Sequence, residues 1–262
     1  MPFAEVNGQR LYYEDTGGEG PPIVFSHGFL MDRRMFAPQV AALRDTYRVI
    51  TWDERGFGAT EFDGEPFTYW DSARDLFGLL DVLGIERAVL AGMSQGGYLS
   101  LRAGLLQPDR VRALVLIDTQ APPELAEKIA EYRVMIDTWV THGYLEELAA
   151  TVAGLIIGDA ELESEWKSIW QDWDHTNLKA AGSALLDRDD ISDRLVELAM
   201  PVLLVHGTED AAIPVSRAHE ICAAVEDCRG VVEVTGAAHA ANLTHPEAVN
   251  PAIRRFLAEL PA

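Results

Sequence analysis

Lysine is almost missing from this chain, with three in 262 residues (Lys128, Lys167 and Lys179), and all basic side chains together number 21 against 42 acidic ones, a formal charge of −21. A surface so poor in positive charge has no stripe to follow phosphates, which excludes nucleic acid as a partner and disfavours anionic membrane surfaces. Cysteine is as scarce. Cys222 and Cys228 are too few for a disulfide framework or a multi-cysteine metal site, and both are expected as small buried hydrophobes. No apolar run approaches the ~18 residues of a membrane span, and the first residues carry neither a basic nor an apolar leader region. A soluble cytoplasmic protein is expected.

What the chain does have is apolar content, 48%, enough for one sizeable core. Short apolar runs alternate with amphipathic stretches, the pattern of helices on both faces of a mostly parallel sheet. The expected strands are Ala4 to Val6, Arg10 to Tyr13, Ile23 to Ser26, Arg48 to Trp52, Ala88 to Ala91, Ala113 to Ile117, Val202 to Val205 and Val231 to Val234, with a hairpin turn at Asn7-Gly8. Helical patterns lie at 72–83, 96–106, 216–225 and 246–260.

The alternation stops between Gln120 and Leu195, where only helical periodicity is found after Pro122-Pro123. This predicts a helical insertion at 120–195 within a core made of 1–119 and 196–262. The insertion holds four of the six tryptophans, Trp139, Trp166, Trp170 and Trp173. The last three are spaced i, i+4, i+7 on one helix face. They are expected either to fill the insertion's own core or to wall a substrate pocket shared with Phe29.

The sharpest local signal is Gly92-Met93-Ser94-Gln95-Gly96-Gly97, between a predicted strand and a predicted helix. At this composition a G-x-S-x-G string arises by chance only ~0.06 times per chain. Glycines flank the serine because a strand-to-helix turn this tight brings backbones too close for Cβ atoms. A serine hydroxyl needs a base, and the base an orienting carboxylate. Of seven histidines, His239 stands in a small-residue loop after the last strand, whereas His245 precedes Pro246 at a helix start and His206 ends a strand. Asp210, in the loop after the penultimate strand, is the expected acid, with Asp118 as its rival at the end of the preceding strand. The order Ser94, Asp210, His239 suits this architecture. Two backbone donors for an oxyanion are expected at Gln95 and Phe29, with His27 orienting the Phe29 loop.

Ser26-His27-Gly28-Phe29, Trp52-Asp53-Glu54-Arg55-Gly56-Phe57-Gly58, Gly92 to Gly97, Gly207-Thr208-Glu209-Asp210 and His239, in that order, resemble an α/β-hydrolase over essentially the whole chain. The resemblance implies an eight-stranded α/β fold in which the insertion is a cap and the Asp53-x-Arg55 segment is structural. The serine at the elbow argues against haloalkane dehalogenases and epoxide hydrolases, which use aspartate there. What remains resembles carboxylesterases, enol-lactonases, carbon–carbon bond hydrolases and cofactor-free perhydrolases, and more remotely hydrolase-derived ligand receptors. Ester hydrolysis of a small molecule, without metal or organic cofactor, is the expected activity. Many such relatives have methionine or leucine where Gln95 stands, which predicts a more polar pocket floor.

The charge is unevenly spread. Residues 120–195 hold 16 acidic and six basic side chains, −10 of the −21. An acidic lid over an aromatic lining predicts a neutral substrate.

Overall fold

The computed structural model describes residues 3–261; Met1, Pro2 and Ala262, included in the core division above, lie outside the described residues. Eight strands form one sheet in the order β1-β2-β4-β3-β5-β6-β7-β8. They are β1 (Phe3–Val6), β2 (Gln9–Asp15), β3 (Pro22–Ser26), β4 (Arg48–Trp52), β5 (Ala88–Met93), β6 (Val111–Ile117), β7 (Val202–Gly207) and β8 (Cys228–Val234). β2 pairs antiparallel with β1 and β4, and the pairings from β4 across to β8 are all parallel. The central parallel strands are covered on both faces, which is why they read as unbroken apolar runs; all six residues of β5 and of β7 are buried. Asn7 and Gly8, at φ 48° and 81°, make the β1–β2 turn that two positive φ values require.

The helices are α1 (Ala37–Leu43), α2 (Tyr69–Val82), α3 (Gln95–Leu106), α4 (Ala126–His142), α5 (Glu146–Ile156), α6 (Ala160–Gln171), α7 (Leu178–Leu186), α8 (Ser216–Ala224), α9 (Ala241–Thr244) and α10 (Pro246–Glu259). α2 packs with α3, and α1 with α10, while α4 to α7 fall between β6 and β7 and pack in the pairs α4 with α7 and α5 with α6. Among the described residues no helix is long and apolar enough to cross a membrane.

The Asp53-x-Arg55 segment is engaged in structure. Asp53 accepts from the backbone N–H of Arg33 and of Ala59 and from the Arg33 guanidinium. Arg55 is paired with buried Asp75 through bonds of 2.6 and 2.7 Å.

One expectation is corrected here. Cys222 and Cys228 are joined by a disulfide, with Cα atoms 5.2 Å apart. The two residues bracket the turn that carries the chain from α8 into β8, so a separation of six sets them side by side. Counting cysteines without placing that turn hides the pair.

Candidate active site

Ser94 sits between β5 and α3 at φ 51°, ψ −113°, a backbone conformation that costs a side-chain-bearing residue on the order of 1–3 kcal/mol unless its surroundings hold it. Here they do. The Ser94 N–H donates to the Ile117 carbonyl at 2.9 Å, and its own carbonyl accepts from the Thr119 hydroxyl at 2.8 Å and the N–H groups of Gly97 and Tyr98. A Cβ on Gly92 would run into the backbone of Gly96 and Gly97, and one on Gly96 into the carbonyls of Ser26 and His27. The tight turn thus explains two of the motif's glycines. α3 starts at Gln95, so its positive N-terminal end faces the Ser94 hydroxyl.

His239 Nε2 lies 2.9 Å from Ser94 Oγ, and its Nδ1 lies 2.7 Å from Asp210 Oδ2. A carboxylate only accepts, so Nδ1 carries the proton and Nε2 is the free base facing the hydroxyl. The other Asp210 oxygen accepts from the N–H groups of Ala212 and Ile213, both at 2.9 Å. Burial opposes the Asp210 charge, but His239, His206 and these amides outweigh it and hold its pKa below the ordinary carboxylate value. Burial likewise opposes a charged His239, but the Asp210 carboxylate and then Asp118 raise its pKa above the ordinary imidazole value.

Asp118, the rival acid, is placed one step away. It is fully buried at φ 46°, and its two oxygens accept from the N–H groups of Gly207 at 2.7 Å and Ala241 at 3.1 Å. It ties the end of β7 to the start of α9. His206 Nε2 donates to the Ile213 carbonyl at 2.8 Å and lies 3.3 Å from Asp210 Oδ2, a second contact to the acid that its strand-end position did not single out. Asp118, His206 and Asp210 bring ligand-type atoms within 4.8 Å of one another, but both oxygens of each carboxylate and His206 Nε2 are already engaged by the bonds just described. Of the other histidines, His219 meets Glu233, His175 stacks on Trp139, and His245 contacts Thr244 ahead of α10.

His27 is committed to its loop. The Glu54 N–H donates to His27 Nε2 at 3.0 Å, so Nδ1 carries the proton and donates to the Gly28 carbonyl at 2.8 Å. Burial lowers its pKa to about 4, which keeps the ring neutral. Phe29 and Leu30 follow in this loop and line the same cavity as Ser94. Among the described residues neither the Phe29 nor the Gln95 amide finds a protein acceptor. The Gln95 side chain does not line the pocket, contrary to the expectation of a polar floor: its Oε1 accepts from the buried Tyr69 hydroxyl at 3.2 Å.

A cavity opens above Ser94 and His239. Phe29, Leu30, Met93 and Tyr98 line it from the sheet side, Tyr132 and Met135 of α4 and Val152, Leu155 and Ile156 of α5 from above. Of the residues predicted to wall it, only Phe29 does so. Trp139 and Trp170 are fully buried edge to face, with centroids 5.7 Å apart. Trp166 is buried on α6 with the Arg34 guanidinium 6.0 Å from its ring. Trp173 falls beyond the end of α6, packs on Phe57 and lines a separate surface cleft with Arg33 and Arg34. Only the i, i+4 pair Trp166 and Trp170 shares a buried helix face, which turns toward α4 and the Leu30 loop; Trp173, expected on the same face, lies past the helix end and is half-buried. Beside Phe29, the aromatic lining comes from Tyr98 and Tyr132 rather than from the tryptophans, and no local motif marks either tyrosine.

A serine held in a strand-to-helix turn beneath a helical segment, with histidine and aspartate from the last two loops of a β1-β2-β4-β3-β5-β6-β7-β8 sheet, is the arrangement of one enzyme family. The model of the alpha/beta hydrolase fold matches residues 21–246, and the chain belongs to that family. It is similar to 3-oxoadipate enol-lactonase 1 of Acinetobacter baylyi, 29% identical over 92% of this chain and 90% of the relative. Among solved structures it resembles a thermophilic esterase from Thermogutta terrifontis, 28% identical, with a TM-score of 0.90 over 99% of this chain and 97% of that one. It also resembles the enol-lactonase from Burkholderia xenovorans LB400, 28% identical, with a TM-score of 0.90 over 98% and 100%.

Proposed function

We propose that this hydrolase cleaves carboxylic esters of a small, neutral, partly apolar molecule through an acyl-enzyme. The observation that carries the proposal is the unbroken hydrogen-bonded chain Ser94–His239–Asp210 at the floor of a mostly apolar cavity. Ser94 attacks the ester carbonyl as His239 takes its proton, and Asp210 stabilises the imidazolium that forms. The amides of Phe29 and Gln95 receive the tetrahedral oxyanion. His239 then protonates the departing alcohol, and water repeats the sequence on the acyl-enzyme. Residues 120–195 act as the cap, since α4, α5 and α7 supply the cavity's upper wall.

Lactones would engage the same atoms, and enol-lactonases are among the similar proteins. The cavity favours a neutral ester over an anionic lactone, because the described residues lining it include no lysine or arginine and do include Glu124. A panel of 4-nitrophenyl esters, lactones, aromatic diesters and vinylogous diketones tests the proposal. Ester turnover should exceed that of the other classes and fall by roughly 10⁴-fold or more in kcat on Ser94→Ala, since triad members act as a unit. Ester turnover that survives Ser94→Ala in a clean preparation would contradict it.

A further inference from the structure

Apart from Ser94 and His239, the mostly apolar cavity takes its polar side chains from Tyr98, Glu124 and Tyr132, and we infer that Glu124 and Tyr132 select esters that also carry a neutral hydrogen-bond donor, a hydroxyl group, on the acid or the alcohol portion. The inference rests on the ester-hydrolase proposal and names the substrate class within it.

Glu124 occupies the stretch between β6 and α4, lines the same cavity as Ser94, and has a side chain only 8% exposed. Its Oε1 accepts from the Gln120 carboxamide at 2.6 Å and from Arg188 Nη2 at 3.1 Å. Among the described residues no donor reaches Oε2. Arg188 is held from behind, donating to the carbonyls of Leu185 and Pro122 with its guanidinium 4.2 Å from the centre of the Tyr98 ring, and it does not line the cavity. The pair is therefore charge-balanced, and Oε2 remains as its unengaged acceptor. Tyr132 brings a phenol to the same cavity. Burial first, and then the nearby Glu124 carboxylate, push its pKa up to about 12, so it remains a hydroxyl.

Together these groups complement one kind of substituent. A substrate hydroxyl can donate to Glu124 Oε2 while its oxygen accepts from Tyr132. An alkyl group of the same size would strip water from Oε2 and return no donor, which is the situation in which a polar pocket discriminates most strongly. A carboxylate would set like charges side by side. An ammonium would find the Glu124 charge already balanced by Arg188.

The test uses matched 4-nitrophenyl esters whose acyl chains end in hydroxymethyl, ethyl or carboxylate, together with alkyl esters carrying the same three ends on the alcohol side. The native protein should prefer hydroxymethyl over ethyl by at least ~10-fold in kcat/KM on one of the two sides. Glu124→Gln turns the free acceptor into a donor and should bring that ratio below about two; Tyr132→Phe should reduce it in part. Because the ratio is taken within each variant, a general loss of activity does not enter it, and Tyr132→Phe provides the reading should Glu124→Gln fail to fold with Arg188 unpaired. Equal rates across every pair, a preference for the carboxylate, or a hydroxyl preference unchanged in the variants would overturn the inference. Absence of any Ser94-dependent ester turnover is a different result and would overturn the underlying proposal with it.

Discussion

The indole N–H of Trp170 donates to the backbone carbonyl of Leu30 at 2.6 Å, fastening α6 to the loop that carries Phe29. Leu30 stands at φ 60°, a conformation that leucine keeps only when its surroundings impose it. Trp170 supplies part of that constraint, and Trp139, packed edge-on against it, braces Trp170 in turn. Under the proposed mechanism Trp170 therefore acts on the Phe29 loop through a backbone carbonyl rather than by touching substrate.

Trp170→Phe should keep most of the ring packing and lose the donor. The freed loop would then place the Phe29 amide less accurately against the oxyanion, where a misplaced donor affects the transition state more than the bound ester. The expected result is a fall of about tenfold in kcat with a smaller change in KM for short esters. A raised KM with kcat intact would show that Trp170 acts on binding instead.

The two carboxylates beneath His239 are expected to separate cleanly. Asp210→Asn leaves the ring free to adopt the tautomer with its proton on Nε2, facing Ser94, and should cost roughly 10⁴-fold in kcat. Asp118→Asn keeps one acceptor but turns a donor toward the N–H of Gly207 or Ala241, so it should lower stability by about 1–3 kcal/mol while retaining most activity. Urea midpoints alongside kcat/KM decide the matter. The opposite outcome, a dead Asp118→Asn and an active Asp210→Asn, would move the acid to Asp118.

The parallel strands were legible because burial on both faces leaves an uninterrupted apolar run, and Ser94 because its turn admits only glycine at Gly92 and Gly96. β5 and β7 each run two residues past the expected end, since Gly92 interrupts the apolar run in β5 and His206 ends it in β7. α1 went unseen because its Pro38 reads as a break, although proline is well placed in a first helical turn. The pocket was the least legible part. Glu124, Tyr132 and Tyr98 come from three separated segments, and no local spacing reports that the fold brings them to one cavity. The tryptophans show the converse limit: periodicity tells which residues share a face, not what that face meets.

The disulfide should matter for stability and not for chemistry. Cys222 and Cys228 fasten the end of α8 to edge strand β8, and closing so short a loop is worth roughly 2–3 kcal/mol by the chain-entropy account. At this size each kcal/mol moves Tm by about 2–4 °C. Reduction, or Cys222→Ala with Cys228→Ala, should lower Tm by about 4–12 °C and leave ester turnover at 25 °C unchanged, since neither residue lines the cavity. An unaltered melting curve after verified reduction would contradict this role.

The pH dependence of rate and of stability should have separate origins. As the proposed base, His239 works only when neutral, and burial, which opposes its charge, is outweighed by the Asp210 carboxylate, which raises its pKa. The acid limb of kcat/KM should therefore lie above the ~6.5 of free imidazole, with activity lost as pH falls through it. Nuclear magnetic resonance of the His239 ring should show Asp210→Asn titrating at lower pH, and a native limb below pH ~6 would contradict the arrangement. Stability follows Asp118 in the opposite direction. Burial raises its pKa to about 7, so its stabilising contribution is complete below the unfolded carboxylate value of ~3.9 and declines as pH rises through the folded one. Thermal melts between pH 5 and 8 should show native stability declining, while Asp118→Asn, weaker at low pH, follows a flatter profile because the group that must lose its proton is gone.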